Sequence, residues 1–121
     1  MKIWTSYFAK ANSLPADIVP IAICRYRPRW FTGRWYPTVA PTGSLLQHYK
    51  TTGDTNYYTE QFNSQLAQLS AEKIVATLAE MSQGRDVALL CYERPSDFCH
   101  RHLVADWLSS QGYPCEEYEF N

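Results

Sequence analysis

The feature that most constrains this chain is Val87-Ala88-Leu89-Leu90-Cys91. These five apolar residues stand between the turn residues Gly84 and Asp86 and a polar loop at 92–95. A run this short and wholly apolar predicts a strand buried on both faces, as in a parallel sheet. Ser96 then stands as a helix N-cap, and Asp97 adds negative charge to a first turn. The stretch reads strand, loop, helix, with the helix expected over 97–111. In open parallel sheets, ligands sit at the carboxyl ends of strands, where loops and helix N-termini converge. Cys91, Glu93, Cys99, His100, Arg101 and His102 all fall in this loop and the turns after it, so a site is expected here.

The rest of the chain supplies partners for that strand. Ile3-Trp4-Thr5-Ser6-Tyr7 has strand composition, and residues 8–14 predict a short helix ended by Pro15. A second buried strand is expected over 19–25, starting at Pro20 because proline lacks a ladder donor. Residues 26–41 hold three prolines, a glycine, three arginines and five aromatics without a period. They predict a long ordered loop, and such loops are often functional. Thr42 caps a helix over 43–50. Asp54 caps one that runs to 69 and buries Tyr58, Phe62, Leu66 and Leu69. Ser70 caps one that runs to 82 and buries Ile74, Leu78 and Met81. Residues 115–119 alternate acidic with apolar side chains, the pattern of a last strand near an edge. Strands separated by helices predict a single α/β domain over 1–121: a three-layer sandwich with a mostly parallel, Rossmann-like sheet.

Composition narrows the partners. No apolar run approaches the roughly 20 residues of a membrane helix, and the N-terminus lacks a basic region followed by an apolar one. A cytoplasmic protein with four reduced cysteines is expected, with no membrane partner. The net charge of −1 conceals an asymmetry. Residues 1–60 carry seven Lys/Arg against three Asp/Glu, and residues 61–121 carry four against nine. The positive half suits an anion, and the two halves also attract each other.

Leu89-Leu90-Cys91-Tyr92-Glu93 followed by Phe98-Cys99-His100-Arg101 resembles the domain-of-unknown-function 488 family. That family is marked by an apolar strand ending in Cys-x-Glu and by Cys-His-Arg opening a helix. The resemblance extends over Trp4-Thr5-Ser6-Tyr7-Phe8, Ile21-Ala22-Ile23-Cys24-Arg25, Pro28-x-Trp30-Phe31-x-Gly33 and residues 45–49, nearly the whole chain. It implies an α/β fold and no established activity. One departure is visible: longer relatives carry Asp-Val-Arg where this chain has Ile23-Cys24-Arg25, so the Arg carries over and its acidic partner does not.

Arg101 in the first helical turns opposes the macrodipole, which favours negative charge there. A bound anion relieves that conflict, with help from free backbone N–H groups. Arg25 is expected to reach the same anion, with the Glu93 carboxylate as part of the countercharge. The plainer alternative is a salt bridge from Arg101 to Asp97 or Glu93. Arg25, Arg27, Arg29 and Arg34 interleave with Tyr26, Trp30, Phe31, Trp35 and Tyr36, a composition suited to nucleotides. Alternatively, those aromatics pack over the sheet and the arginines are solvated. The expected ligand contacts are Tyr7, Arg25, Arg27, Trp30, Trp35, Tyr92 and Arg101.

Glu93 and His100 are candidates for acid–base work. Cys91 or Cys99 is a candidate nucleophile, since a helix N-terminus and an Arg favour thiolate. Neither fits a phosphatase loop, which has Arg six residues after Cys, because positions 97 and 105 are Asp and Ala. Cys and His also bind zinc. However, His100 and His102 lie two apart on a helix and face different ways, so neither a metal nor a cofactor is expected. Three function classes follow. The first is binding, and possible hydrolysis, of a phosphorylated ligand such as a nucleotide or nucleic-acid segment. The second is a non-catalytic sequestering or protein-interaction module. The third is a thiol-dependent hydrolase or transferase. The oligomeric state is not specified by the sequence.

Overall fold

A computed structural model describes residues 1–121. The strands are β1 (Ile3–Tyr7), β2 (Val19–Ala22), β3 (Arg34–Trp35), β4 (Val87–Cys91) and β5 (Cys115–Glu117). The helices are α1 (Gly43–Thr52), α2 (Thr55–Ala67), α3 (Ala71–Ser82) and α4 (His100–Ser110). The strands form one sheet in the order β3-β2-β4-β1-β5, and every pairing is parallel. The chain therefore has the α/β, Rossmann-like architecture that its alternating runs predict. β4 is the central strand, and all five of its residues are buried.

Helix starts follow local chemistry. Thr42, Asp54 and Ser70 each accept a bond from the backbone N–H three residues on, at Leu45, Tyr57 and Lys73. Such caps contribute about 1 kcal/mol each. α1 stops at Gly53, which takes a left-handed φ of 66° that a residue with a Cβ rarely adopts. One sheet face, through Ile3, Val19, Ile21, Val87 and Leu89, meets Leu45, Phe62, Leu66, Leu78, Val104 and Leu108 from the four helices. The other face, through Ala22, Ala88 and Leu90, is covered more thinly by Phe8, Ile18 and Phe31. Phe8 opens a 3-10 segment, Phe8–Ser13, in place of the short helix.

Helix ends shift by one or two residues from expectation, at Thr52, Ala67 and Ser110, and four other differences are larger or fall on the sheet. β2 ends at Ala22 rather than 25. β5 ends at Glu117 rather than 119. The 26–41 loop contains β3, which is only two residues long and too short to show a period. α4 begins at His100 rather than 97, and Cys99 takes the N-cap place in an extended conformation. The cause lies at Phe98, which packs on Tyr49 and Tyr58 with ring centroids 5.4 and 5.2 Å away. Burying that ring holds residues 98–99 extended and delays the helix until the chain turns back.

Candidate functional site

Adjacent strands β2 and β4 end side by side, and the loops after them diverge. Between these loops, α1, α2 and the start of α4 lies a cavity of about 250 Å³. Its walls are aromatic, with Tyr26, Tyr49, Tyr58, Tyr92 and Phe98, and it carries two cations, Arg25 and Lys50. Neither cation belongs to an ion pair of the chain, since those pairs are Arg94–Asp97 and Arg101–Glu117. Arg25 is held by backbone carbonyls instead. Its Nε donates to Pro41 O at 2.8 Å, and its Nη2 donates to Pro37 O and Ala40 O at 3.4 and 3.5 Å. Carbonyls orient the guanidinium without cancelling its charge.

Cys91, Glu93, Cys99 and His100 also line the cavity. The end of β4 supplies Cys91, the following turn Glu93, the N-cap of α4 Cys99 and its first residue His100. The Cys91 Sγ, Cys99 Sγ and one His100 ring nitrogen lie within 4.8 Å of one another. Cys91 Sγ donates to Glu93 Oε2 at 3.3 Å and lies 3.5 Å from His100 Nδ1. Cys99 Sγ is 4.0 Å from the same nitrogen. His100 Nε2 is 2.7 Å from Ile23 O. Because a carbonyl only accepts, Nε2 carries the proton and Nδ1 presents a lone pair to the sulfurs when the ring is neutral.

These acidic groups perturb one another. Hydrogen bonding between the thiols lowers the pKa of Cys99 and raises that of Cys91. Burial, followed by the neighbouring Cys99, pushes the Glu93 carboxyl up. Burial raises the Cys24 thiol at the cavity edge to about 11. The protonated, neutral forms of Cys91, Glu93 and Cys24 are thus favoured, and Cys99 is the group whose ionised form is favoured.

Arg101 departs from expectation. It is buried, with 0% exposure, and it is absent from the cavity lining. Its Nε and Nη2 donate to the two carboxylate oxygens of Glu117 on β5, each at 3.0 Å, and its Nη1 donates to the backbone carbonyl of Glu93 at 2.6 Å. Its countercharge within the chain is therefore Glu117 rather than the Glu93 carboxylate. The helix start is no obstacle to the cation, because a buried bidentate carboxylate outweighs an end effect of 0.3–1 kcal/mol. Tyr7 lies under the Arg101 guanidinium, 5.7 Å from ring centroid to Cζ, outside the cavity lining.

Trp30 and Trp35 also lie outside the cavity lining. Trp30 is 59% exposed and packs edge-on against Phe8 and Phe31. Trp35 donates through Nε1 to Cys24 O at 2.9 Å, with the Arg27 guanidinium over its ring. Arg27 itself donates to Gly33 O. These three side chains brace the loop. Tyr92 does line the cavity, and its hydroxyl donates to Tyr26 O at 2.6 Å, which ties the two loops together.

Tyr26, Lys50, Tyr49, Tyr58 and Phe98 line the cavity but were not among the expected ligand contacts. Tyr49 and Tyr58 sit on helical faces, where an inward aromatic reads equally as core. Glu117 was hidden within the acidic alternation of the last strand. Residues 5–112 match the family model described as DUF488-N3a, Active DUF488-N3 subclade. No curated protein and no solved structure matches the chain.

Proposed function

We propose that this chain, which belongs to the DUF488 family, is an enzyme acting on a small phosphorylated ligand of the nucleotide class at the carboxyl edge of its sheet. The observation that carries the reading is one cavity with two cations free of carboxylates, five aromatic walls and a Cys91–Glu93–Cys99–His100 cluster. Arg25 faces the phosphate. The Nη1 of Arg25 has no protein partner and is free for a charge-assisted bond. Lys50 adds charge without directional demands. The rings of Tyr26, Tyr49, Tyr92 and Phe98 take the base, since Trp30 and Trp35 are not part of the lining. The cavity is slightly below the usual range of about 300–1,000 Å³ for ligand pockets, which suits a mononucleotide rather than a dinucleotide.

Glu93 is the proton-transfer group of this reading. His100, tied to Ile23 O, and the two thiols form the reacting centre beside it. The description of the matched model as an active subclade supports an enzyme over a sequestering module. Incubating the chain with a panel of nucleoside phosphates and following products by chromatography tests this. Turnover of at least one member is expected. Glu93→Gln should lower it by roughly 10²–10⁴-fold, the usual share of general acid–base catalysis, and keep ligand affinity. Tight binding with no turnover by the wild type refutes catalysis and leaves a sequestering module. No binding at all refutes the ligand class.

A further inference from the structure

We propose that Cys91, Cys99 and His100 form a binding site for a zinc-type divalent cation, with the Glu93 carboxylate beside its open position. As a metal site this rests on the positions of the donor atoms alone. As a catalytic metal site it rests on the reading above, because it would supply the cofactor of the same cavity.

The donors already stand close to the edges of a metal tetrahedron. Zinc bonds of about 2.3 Å to sulfur and 2.0–2.1 Å to nitrogen, at tetrahedral angles, place ligand atoms roughly 3.5–3.8 Å apart. The observed separations are 3.5 Å from Cys91 Sγ to His100 Nδ1 and 4.0 Å from Cys99 Sγ to the same nitrogen. Glu93 Oε2 lies 3.3 Å from Cys91 Sγ. Each thiol has a single proton to donate. Ordinary hydrogen bonding accounts for two of these contacts, Cys91 to Glu93 and Cys99 to His100, and leaves the approach of Cys91 Sγ to His100 Nδ1 without a proton.

Two further observations point to a cation. The first is the outer contact of His100. A metal-bound His commonly donates its other ring N–H to a carbonyl or carboxylate, which fixes the tautomer and aims the lone pair. The bond from Nε2 to Ile23 O, at 2.7 Å, is that arrangement. The second is that no protein cation is paired with the cluster. The Arg101 guanidinium is occupied by Glu117 and by the Glu93 backbone, and the Arg25 guanidinium by carbonyls. No ion pair of the chain includes Glu93. A divalent cation bound there would displace the thiol protons and take the place that no cationic side chain fills.

The donor set selects the metal. Two thiolates and an imidazole suit zinc and repel magnesium or calcium, which take oxygen ligands. Three protein ligands with one position open is the form of a catalytic zinc site rather than a structural one. All four residues line the cavity, so a metal held by them would border it.

Cobalt(II) tests the site, because tetrahedral thiolate coordination gives it intense visible and thiolate charge-transfer bands. The full chain, stripped by a chelator, is titrated with cobalt and then with zinc. We expect saturation at one equivalent and displacement by zinc. Cys91→Ser and Cys99→Ser should each reduce the charge-transfer band, and His100→Gln should weaken binding by more than about tenfold, the lower bound for an outer-contact residue. Cys115→Ser, away from the cluster, should change nothing. Zinc should also protect two wild-type thiols from native alkylation, which needs no variant to fold. Absence of a saturable thiolate band, or an undiminished band in folded Cys91→Ser and Cys99→Ser, overturns the proposal. The readout does not depend on turnover. Cobalt binding without any nucleotide turnover refutes the enzyme reading alone, and turnover in metal-free protein without cobalt binding refutes the metal alone.

Discussion

Replacing Glu117 by Ala should cost this fold about 3 kcal/mol. The guanidinium of Arg101 is 0% exposed, while the Glu117 side chain is 22% exposed. The variant removes both bonds at 3.0 Å and leaves the cation with only the Glu93 carbonyl. Burial works against the Arg101 charge, and the hydrogen bonds it donates to Glu117, together with the nearby acidic groups Cys99, Glu117 and Cys91, more than offset it. Breaking one side of a buried pair typically costs 3–5 kcal/mol. Water entering at the partly exposed Glu117 position puts the cost at the lower end, about 3 kcal/mol. The Thr5 hydroxyl, which donates to Glu117 Oε1 at 2.7 Å, loses its acceptor as well. Against a total stability of about 5–15 kcal/mol, the variant should fold and its urea midpoint should fall sharply with an unchanged slope. The double variant Arg101→Met with Glu117→Met removes charge and countercharge together. It should lose less than about half as much as the single variant, because well-packed apolar replacements of a buried pair are often near neutral. Urea unfolding followed by circular dichroism at pH 7 measures both. A loss below about 1 kcal/mol in Glu117→Ala, within the range of an exposed pair, would refute the structural role assigned to Arg101.

Other consequences follow from the same contacts. Arg25→Ala should weaken nucleoside monophosphate binding by roughly 1.5–3 kcal/mol, the scale of a hydrogen bond to a charged group. Titration calorimetry at two salt concentrations checks this, and binding should weaken at the higher salt. Burial raises the Cys115 thiol from 9.0 to about 12, so the folded chain keeps a proton that the unfolded chain loses above pH 9. That contribution is fully present below pH 9 and is lost as pH rises toward 12. The stability gap between wild type and Cys115→Ala should narrow by about 1 kcal/mol per pH unit above 9, and a constant gap in urea melts across that range would contradict it. Phe98→Ala removes a ring packed on Tyr49 and Tyr58. It should cost about 3 kcal/mol, as aromatic truncations do, and should weaken ligand binding because the ring is itself a wall of the cavity.

How much of this was legible in the sequence depended on how local the cause was. β4 was read correctly because five apolar residues bounded by turn residues admit few alternatives. The starts of α1, α2 and α3 were read from their capping residues, each of which bonds three residues ahead. The start of α4 was misread because Ser96 and Asp97 satisfy the local rule, while the burial of Phe98, a tertiary effect, sets the real boundary. β3 was missed because two residues carry no period. At the site, the sequence placed Cys91, Glu93, Cys99 and His100 in one loop-and-helix segment. It did not reveal that the sulfurs and the ring nitrogen converge, because a cysteine at the end of a buried strand reads as core, and only the fold brings its sulfur to the start of α4. The partner of Arg101 was not visible either: Glu117 comes from a strand 16 residues away, and the acidic run 116–119 offers three equivalent-looking carboxylates.

The central claim is that the cavity between the ends of β2 and β4 is where a phosphorylated ligand binds. Amide chemical shifts of the nitrogen-15-labelled chain, followed while adenosine monophosphate and then other nucleoside monophosphates are added, test it most directly. The account predicts saturable shifts centred on residues 24–26, 49–50, 91–93 and 98–100, and their loss in Arg25→Ala. Saturable shifts centred instead on the Trp30 and Trp35 loop, or no saturable shifts with any nucleotide, would contradict it.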